Sequence, residues 1–390
     1  MADEGAGKRR KKQDGKSAAQ PVREEPSLPP HLELQRTHVI AGADVNSNTM
    51  AADAANMFMA LGIDNSWSWE KFLKGFQLHI NKLDGETLEF DIIGIDASIA
   101  NSLRRILISE VPTMAIEHVF FVNNTSIIAD EMLAHRLGLI PIKVDPDLFE
   151  WKTGEDVASE RNTIVLRLKV VARREGTEII NDRVKSGQLE WLPNGSELPD
   201  ETSCRFVTSQ KKMVPHKIEA TVSDILLAKM RPGQCIDLEA HCIKGQGREH
   251  AKWSPVATAW YRLNPEVILL QEVGGAAAEE LAEELPGLIV VRDGKAHVTN
   301  PREHEKLLEK VRRLSSEHQW APFLQLRKRK DHFIFTVEST GILAPESTPG
   351  LRLLLSPVAT TISCQAPESA KQHRPTMQKW VPSAKPAALK

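Results

Sequence analysis

The sequence predicts an α+β fold, in which helices and strands are interspersed without regular alternation. Alternating polar and apolar residues on both sides of Asp84-Gly85 indicate a β-hairpin. A helical apolar pattern follows directly after Asp96. Further strand and helix patterns continue to about Val337 without the βαβ rhythm of a parallel sheet and without an internal repeat. These observations together favour α+β over α/β.

The composition is that of a globular protein whose partners are other proteins. The chain has 390 residues, enough for two compact units, with 26% charged and 41% hydrophobic residues. A formal net charge of −2 argues against a folded body whose main task is to grip DNA phosphates. No apolar run approaches the roughly 18 residues of a membrane span. The four cysteines do not suggest a disulfide framework, so a reducing compartment is expected.

Residues 1–35 are predicted to be a disordered, charged tail, because bulky apolar side chains are few and proline is frequent. Within this tail stand five consecutive basic residues, Lys8, Arg9, Arg10, Lys11 and Lys12. Such a run is a solvated segment, a nuclear import signal or a weak nucleic-acid contact, and the run itself leaves these interpretations open.

The first confident elements are the two strands of the hairpin. Their apolar residues alternate with polar ones on either side of the turn, at Phe76, Leu78, Ile80, Leu88, Phe90 and Ile92. One face of the hairpin is therefore predicted to be buried. Just before it, Trp67 and Trp69 lie two positions apart, and we expect them to anchor the core.

The hairpin leads into a helix that is predicted to begin after Asp96, a good N-cap, and to end before Pro112. One arc of this helix collects five apolar side chains, Ile99, Ala100, Leu103, Ile106 and Leu107. Arg105 lies away from this arc, Arg104 lies near its border, and Ile108 points to another side. This pattern is typical of a helix that another element or chain covers.

Further strands and helices are predicted along the rest of the chain. The strands are Ala115–Val122, Ile164–Val170, Gln234–Ile243, Trp253–Leu263 and Phe333–Val337. The helices are Asp130–Leu137, Ser223–Met230 and a segment that opens at Pro301 and reaches Leu314. Gly138 is expected to end the first of these helices in the left-handed conformation.

The sequence contains no constellation that predicts catalysis, a cofactor or a metal centre. No Gly-x-Ser-x-Gly, phosphate-binding or Asp-rich motif occurs, and Gly245-Gln-Gly247 is interpreted as a turn. Cys235 and Cys242 are seven positions apart in a predicted strand, so their side chains fall on opposite faces. Ligands on opposite faces cannot share a tetrahedral zinc at ~2.3 Å. We therefore predict ordinary core or surface cysteines, no metal and no cofactor.

Three motifs resemble the α-type assembly subunits of multisubunit RNA polymerases. They are Asn101-Ser-Leu-Arg-Arg-Ile-Leu107 with Glu110-Val-Pro-Thr113, Glu131-Met-Leu-Ala-His-Arg-Leu-Gly-Leu-Ile-Pro141, and His250-Ala-Lys-Trp-Ser-Pro-Val-Ala257. With the third motif, the chain most resembles the larger α-like subunits shared by RNA polymerases I and III. Each motif is long and ungapped, and the resemblance extends from about Trp67 to Glu346.

The resemblance implies a dimerisation domain formed by residues 36–118 and 252–345, interrupted by an inserted, mainly β domain at residues 119–251. It implies a non-catalytic subunit that pairs with a smaller α-like subunit and forms the platform for the large catalytic subunits in transcription of rRNA, 5S rRNA and tRNA. The second-largest subunit and small assembly subunits are further implied partners, and DNA is reached only through the complex. The implied location is the nucleus, in both nucleolus and nucleoplasm.

The resemblance also assigns roles to residues of the first helix. The apolar arc would lie in the dimer interface, and Arg104 and Arg105 would face the large subunits. Arginine suits this role, because its planar guanidinium can hold a carboxylate with two hydrogen bonds. Without the resemblance, helix solvation or an internal salt bridge is the preferred interpretation of such a pair.

His250, Lys252 and Trp253 would dock the second-largest subunit according to the same resemblance. Without the resemblance, a second interpretation has about equal weight, in which these residues start a strand and provide one aromatic core anchor. For Glu131, His135 and Arg136, a structural capping or inter-strand role and a partner contact stay equally open.

Residues 346–390 depart from the family. Similar subunits continue after Pro345 into an amphipathic helix beside the first helix, whereas here prolines recur through a polar tail. We predict a mostly disordered tail and weaker pairing with the partner. The alternatives for the whole chain are the RNA polymerase II or archaeal counterpart, or a free-standing protein-interaction module.

Overall fold

The structure, a computed structural model, describes residues 28–52, 54–154 and 156–343. The predictions for the basic run at Lys8–Lys12 and for the tail at 346–390 lie outside these residues. Within the described ranges, no helix combines the length and apolar character that crossing a membrane requires.

The described residues contain seven α-helices, of which one exceeds three turns. In chain order they are α1 (Pro30–Thr37), α2 (Trp69–Gly75), α3 (Ala97–Ser109), α4 (Asp130–Gly138), α5 (Pro199–Thr202), α6 (Ala276–Glu284) and α7 (Glu305–Leu314). Helix α1 occupies part of the segment that was predicted to be a disordered tail, and that part of the prediction is wrong.

Eighteen strands accompany these helices, and all of their pairings are antiparallel. They are β1 (His38–Ala41), β2 (Asn46–Ser47), β3 (Gln77–Leu83), β4 (Thr87–Ile93), β5 (Pro112–Asn124), β6 (Ile142–Lys143), β7 (Ile164–Val171), β8 (Arg173–Glu175), β9 (Glu178–Ile180), β10 (Arg183–Lys185), β11 (Glu190–Trp191), β12 (Glu219–Ala220), β13 (Leu226–Lys229), β14 (Cys235–Gln246), β15 (Val256–Leu269), β16 (Ile289–Arg292), β17 (Lys295–Val298) and β18 (Leu324–Ser339). The mixture confirms the predicted α+β class.

The central sheet has six strands in the order β2-β1-β18-β4-β3, with β15 also paired to β18. The predicted hairpin is confirmed as β3 and β4. The register places Phe90 opposite Phe335, and their rings stack with centroids 5.2 Å apart. Strand β18 therefore joins the N-terminal and C-terminal parts of the chain into one sheet.

Helix α3 covers one face of this sheet. It begins as predicted, because the Asp96 carboxylate accepts a hydrogen bond from the Ser98 N–H at 2.7 Å. The core beneath it combines side chains of the helix and of four strands, which are Leu78, Leu88, Phe90, Ile92, Ile95, Ala100, Leu103, Leu107, Val256, Ala259, Phe333, Phe335 and Val337. Ile108, predicted to point elsewhere, also packs against this core.

On the other face of the sheet, the carboxylate of Asp91 is buried in a polar cluster. Arg302 donates to both Asp91 oxygens, at 2.7 and 2.9 Å, and to Glu89 at 2.7 Å. His332 and Asn81 contact the same carboxylate at 3.0 and 2.7 Å. Burial alone would raise the pKa of Asp91, but hydrogen bonds from His332, Arg302 and Asn81 outweigh it and lower the pKa to about 2. The cluster ties the loop before α7 to β4.

The inserted domain is built on a second sheet, with the order β11-β7-β14-β5. Its ladder starts where Pro112 pairs with Gln246, directly after α3 and earlier than the boundary predicted at residue 119. Leu133 and Leu137 of α4 are fully buried in the core of this domain. The helix that carries the first motif therefore leads straight into the inserted domain.

Two local predictions within the inserted domain are wrong. The predicted helix at Ser223–Met230 is strand β13, because it pairs with β10 and buries Leu227 and Ala228 in the core. Gly138 is the last residue of α4, and it does not adopt a positive φ. A short apolar run fits both the helical and the strand periodicity, and here the pairing with β10 makes the segment a strand.

Two glycines of the Gly245-Gln-Gly247 run let neighbouring elements approach closely. A Cβ on Gly245 would lie 2.3 Å from Cε2 of Trp253, and one on Gly247 would lie 2.1 Å from the Ile108 carbonyl oxygen. Gly245 and the residue after it belong to β14, so this part of the run is strand and was wrongly interpreted as a turn. Because these two glycines have no side chain, β14 can pack against Trp253, and the residue that follows β14 can pack against the C-terminal end of α3.

Candidate partner-docking surface

The predicted apolar arc of α3 is divided between the core of the chain and its surface. Ala100, Leu103 and Leu107 are buried against the central sheet. Ile99 is 45% exposed and Ile106 is half-buried, both on one flank of the helix. The three buried residues thus make intramolecular contacts, which corrects their assignment to an interface. Ile99 and Ile106 stay available to a second chain.

The two arginines of α3 differ in their surroundings. Arg104 is half-buried, and its Nε and Nη2 donate to Asn101 Oδ1 at 3.2 and 2.9 Å. Arg105 is exposed. In the part of the chain that the structure describes, neither guanidinium forms an ion pair, so both charges can meet a carboxylate of another chain.

Lys252 and Trp253 are used inside the chain. Trp253 is buried, and its indole N–H donates to the Ile243 carbonyl at 3.1 Å. Lys252 Nζ donates to the Ile116 carbonyl at 2.9 Å, forms an ion pair with Glu117, and lies 4.4 Å from the centroid of the Trp253 ring. Their predicted docking role is corrected, because the Lys252 side chain fastens the turn onto β5 and the Trp253 side chain fastens it onto β14.

His250 is the exposed residue of this trio. Its Nδ1 accepts a hydrogen bond from the Lys252 N–H at 3.1 Å, which caps a single turn of 3₁₀ helix. The same turn lies at the C-terminal end of α3, since the Arg248 N–H donates to the Ser109 carbonyl at 3.0 Å. Arg105 and His250 are exposed at this end of the surface, together with Glu110, Arg248 and Glu249.

The polar residues of α4 divide in a similar way. Glu131 and His135 are exposed, whereas Arg136 donates to the carbonyls of Leu226 and Leu227 in β13. These bonds give Arg136 a structural role between α4 and β13, and a partner contact by its exposed side chain stays a prediction.

The cysteines occupy the positions expected from strand alternation. Cys242 is buried with Ile236, Leu238 and Ala240 in one core, and burial raises the pKa of its thiol. Cys235 is half-buried on the other side of β14, with its Sγ 3.7 Å from the Thr125 hydroxyl. Within residues 28–343, apart from 53 and 155, no group of three His, Cys, Asp or Glu side chains is arranged to hold a metal. The absence of a bound metal stays a prediction.

Sequence reasoning missed a buried polar pair on β14. Glu239 accepts hydrogen bonds from the Ser196 hydroxyl at 2.6 Å and from the Glu197 N–H at 3.0 Å. His241 is buried beside it, with its ring 4.8 Å from that of Phe120. Burial, with Lys152 and then His118 nearby, lowers the pKa of His241 to about 4. The available signal was a Glu and a His alternating with apolar residues in a central strand.

The neutral His241 predicts a pH dependence of stability. An unfolded imidazole titrates near 6.5, so the unfolded state binds an extra proton between pH 6.5 and about 4. Stability is therefore complete above pH 6.5 and falls by roughly 2–3 kcal/mol as the pH drops to 4. Urea unfolding at pH 7.0 and 4.5 should show a smaller loss for His241→Gln than for wild type. Equal losses in the two proteins would contradict this assignment.

An open cleft of about 990 Å³ lies where the inserted domain meets the end of β18. Its walls include Val144, Met213, Val214 and Leu343. These walls are mainly apolar, and the acidic and basic residues at its margin do not form a nucleophile–base pair. The cleft can accommodate an apolar segment, but its residues do not indicate a reaction.

Comparison with protein families matches residues 89–348 to the RNA polymerase Rpb3/Rpb11 dimerisation domain. The matched region begins in β4, runs through the inserted domain and includes β18. It thus contains the whole of α3, most of β4 and the long strands β15 and β18 of the central sheet, whereas β1, β2 and β3 precede it.

Individual relatives agree with this match. The DNA-directed RNA polymerases I and III subunit RPAC1 of Mus musculus is 42% identical over 343 residues, covering 81% of this chain and 90% of the mouse protein. The protein of the same name from Saccharomyces cerevisiae is 39% identical, covering 79% and 92%. The DNA-directed RNA polymerase II subunit rpb3 of Dictyostelium discoideum is 33% identical, covering 69% and 87%.

Proposed function

The chain belongs to the RNA polymerase Rpb3/Rpb11 dimerisation-domain family, and we propose that it is an assembly subunit of DNA-directed RNA polymerases I and III. The relatives that carry this name match at higher identity and over more of the chain than the RNA polymerase II relative does. The RNA polymerase II counterpart is therefore not favoured.

In this proposal the chain pairs through α3 with a smaller α-like subunit. The observation that carries the proposal is the exposed apolar flank of α3, where Ile99 and Ile106 stand two turns apart beside a buried seam. Covering such a flank removes apolar area from water, which is worth about 25 cal/mol per Å². The partner would thereby complete the burial that the central sheet provides for the other side of the helix.

Purification of the tagged chain from cells tests the proposal. The smaller α-like subunit and the large subunits of RNA polymerases I and III should be recovered with it. Recovery of the largest subunit of RNA polymerase II instead, or of the tagged chain alone, would contradict the proposal.

The proposed contribution is assembly rather than catalysis. Glu239 and His241 are buried and are held within the inserted domain. Phosphoryl transfer by a polymerase needs an exposed acidic site for two metals. Among the described residues no such acidic cluster is present, so the catalytic groups would come from other subunits.

Arg105 and His250, at the C-terminal end of α3, are the residues proposed to dock a large subunit, with Arg104 beside them. Replacing Arg105 by Glu should preserve pairing with the smaller subunit and reduce recovery of the large subunits at least several-fold, because the replacement repels a facing carboxylate. Arg174→Glu is a matched control, since Arg174 is exposed in the distant β8 strand. Normal recovery of every subunit with Arg105→Glu, or loss of the smaller subunit as well, would contradict this assignment.

The proposed location is the nucleus, where RNA polymerases I and III act. The basic run at Lys8–Lys12 is the segment proposed to support import, and it lies outside the described residues. Distribution between nucleolus and nucleoplasm would follow from the two complexes and belongs to the same proposal.

A further inference from the structure

Two tryptophans that were expected in the core lie instead on the surface. Trp67 is 70% exposed and Trp69 is 60% exposed, so the prediction that they anchor the core is wrong. Their rings continue inward through Phe72 to Phe76, with successive centroids 6.1, 5.5 and 5.4 Å apart. We call Trp67, Trp69, Phe72 and the exposed Leu73 the aromatic ridge.

The ridge is held in place rather than lying loosely on the surface. Ser68 caps α2, accepting a hydrogen bond from the Lys71 N–H at 3.2 Å. Phe72 and Phe76 pack against the core beneath α3. The exposed rings are therefore presented on a fixed base, and a partner that binds them would meet little ordering cost.

The ridge lies at the N-terminal end of α3. A Cβ on Gly94, two residues before the cap of α3, would lie 2.3 Å from the carbonyl oxygen of Gly75, which ends α2. The C-terminal end of α2 therefore touches the entry to α3. Ile99 lies in the first turn of that helix, and Phe72 of the ridge packs against the core that the helix covers. The His250 turn lies at the other end of α3.

We propose that the aromatic ridge extends the pairing surface of α3 and contacts the smaller α-like subunit through an aliphatic patch on that subunit. This inference rests on the proposed function. Its basis is continuity, because α2, which carries the ridge, touches the entry to α3, and Phe72 packs against the core beneath that helix. Arg105 and His250 lie at the opposite end of α3. Tryptophan is enriched among the residues that dominate interface energies, which fits two fixed indoles beside an apolar flank.

The charges around the ridge give the contact a recognisable salt response. Glu70, Lys71 and Lys74 of α2 are exposed and leave one unbalanced positive charge. Apolar contacts are screened little by salt, whereas exposed charge pairs weaken as ionic strength rises. The affinity lost on removing the two indoles should thus be similar at 0.1 and 0.5 M salt.

Titration of the purified smaller α-like subunit into the full chain tests the inference. Trp67→Ala/Trp69→Ala should raise the Kd at least tenfold at both salt concentrations. Trp260→Ala is the control, because Trp260 is 42% exposed on β15 and its neighbours Ala259 and Tyr261 face the core beneath α3. Trp260 therefore points to the opposite face of the same sheet, and its replacement should leave the Kd within twofold of wild type.

The outcomes separate the inference from the proposed function. If wild type binds, Ile99→Asp does not, and the double tryptophan variant binds within twofold of wild type, the inference is overturned and the proposed function stands. If wild type itself fails to bind, the pairing proposal fails first. If the double variant binds the smaller subunit normally but loses the large subunits in cells, the ridge serves a different chain and the inference is again overturned. Each variant should show a cooperative thermal unfolding transition, which checks that it is folded.

Discussion

Replacing Ile99 by Asp is expected to abolish pairing with the smaller α-like subunit while leaving the chain folded. The side chain is 45% exposed in the isolated chain, so a carboxylate there keeps its contact with water. In the complex the same carboxylate would lie in an apolar seam without a partner, which costs several kcal/mol. A cost of about 3 kcal/mol corresponds to roughly a hundredfold weaker binding.

The matched control is Ile127→Asp, because Ile127 is 88% exposed in a loop of the inserted domain. Both variants carry the same chemical change, and only Ile99→Asp should lose the smaller subunit in a pull-down or titration. Leu103→Asp would be a poorer test, since Leu103 is buried in the core of its own chain and the variant would unfold. Normal pairing by a folded Ile99→Asp variant would place the interface elsewhere.

The local pattern of α3 predicted its cap, its limits and its apolar arc. Periodicity could not divide that arc, because the split depends on which side of the helix the central sheet covers. Ala100 and Leu107 are buried in the core that the helix shares with the sheet, whereas Ile99, next to Ala100, is 45% exposed. The resemblance likewise identified a surface, but it could not show which side chains of that surface are free.

Errors arose where distant segments determine the environment of a residue. Trp253 is buried because Gly245, on another strand, leaves space for its ring. Trp67 is 70% exposed, because it precedes α2 and the core receives Phe72 and Phe76 instead. Glu239 is buried because a loop of the inserted domain covers its side of β14. Each outcome depends on packing between segments far apart in sequence, which a local pattern does not contain.

The environment of Asp91 also depends on a distant residue, Arg302, and replacing that residue is expected to cause a large loss of stability. The alternation of β4 predicted a polar, solvated face for this residue, yet Asp91 is buried and held by Arg302. Replacing Arg302 by Met should destabilise the chain by about 3 kcal/mol, because a buried carboxylate then loses its main partner. Arg312→Met is the control. Its exposed pair with Glu309 should contribute less than about 1 kcal/mol.

The Asp91 carboxylate also makes the free energy of unfolding depend on pH in the acidic range. With a folded pKa of about 2 and an ordinary value of 3.8, Asp91 binds its proton more readily in the unfolded state. Its contribution is complete above pH 3.8 and is lost as the pH falls toward 2, by about 2 kcal/mol in total. In urea unfolding at several pH values, Asp91→Asn should lack this part of the acid dependence.

A double variant identifies the cause of the predicted loss. If Arg302→Met destabilises the chain because it leaves a buried charge unpaired, then adding Asp91→Asn should restore part of the stability, since the amide carries no charge. The urea midpoint of Arg302→Met/Asp91→Asn should therefore lie above that of Arg302→Met alone. If Arg302 mattered only through the packing of its aliphatic stem, Met would replace it well and the single variant would be nearly as stable as wild type. A double variant less stable than Arg302→Met would show that Asp91 is held mainly by His332 and Asn81.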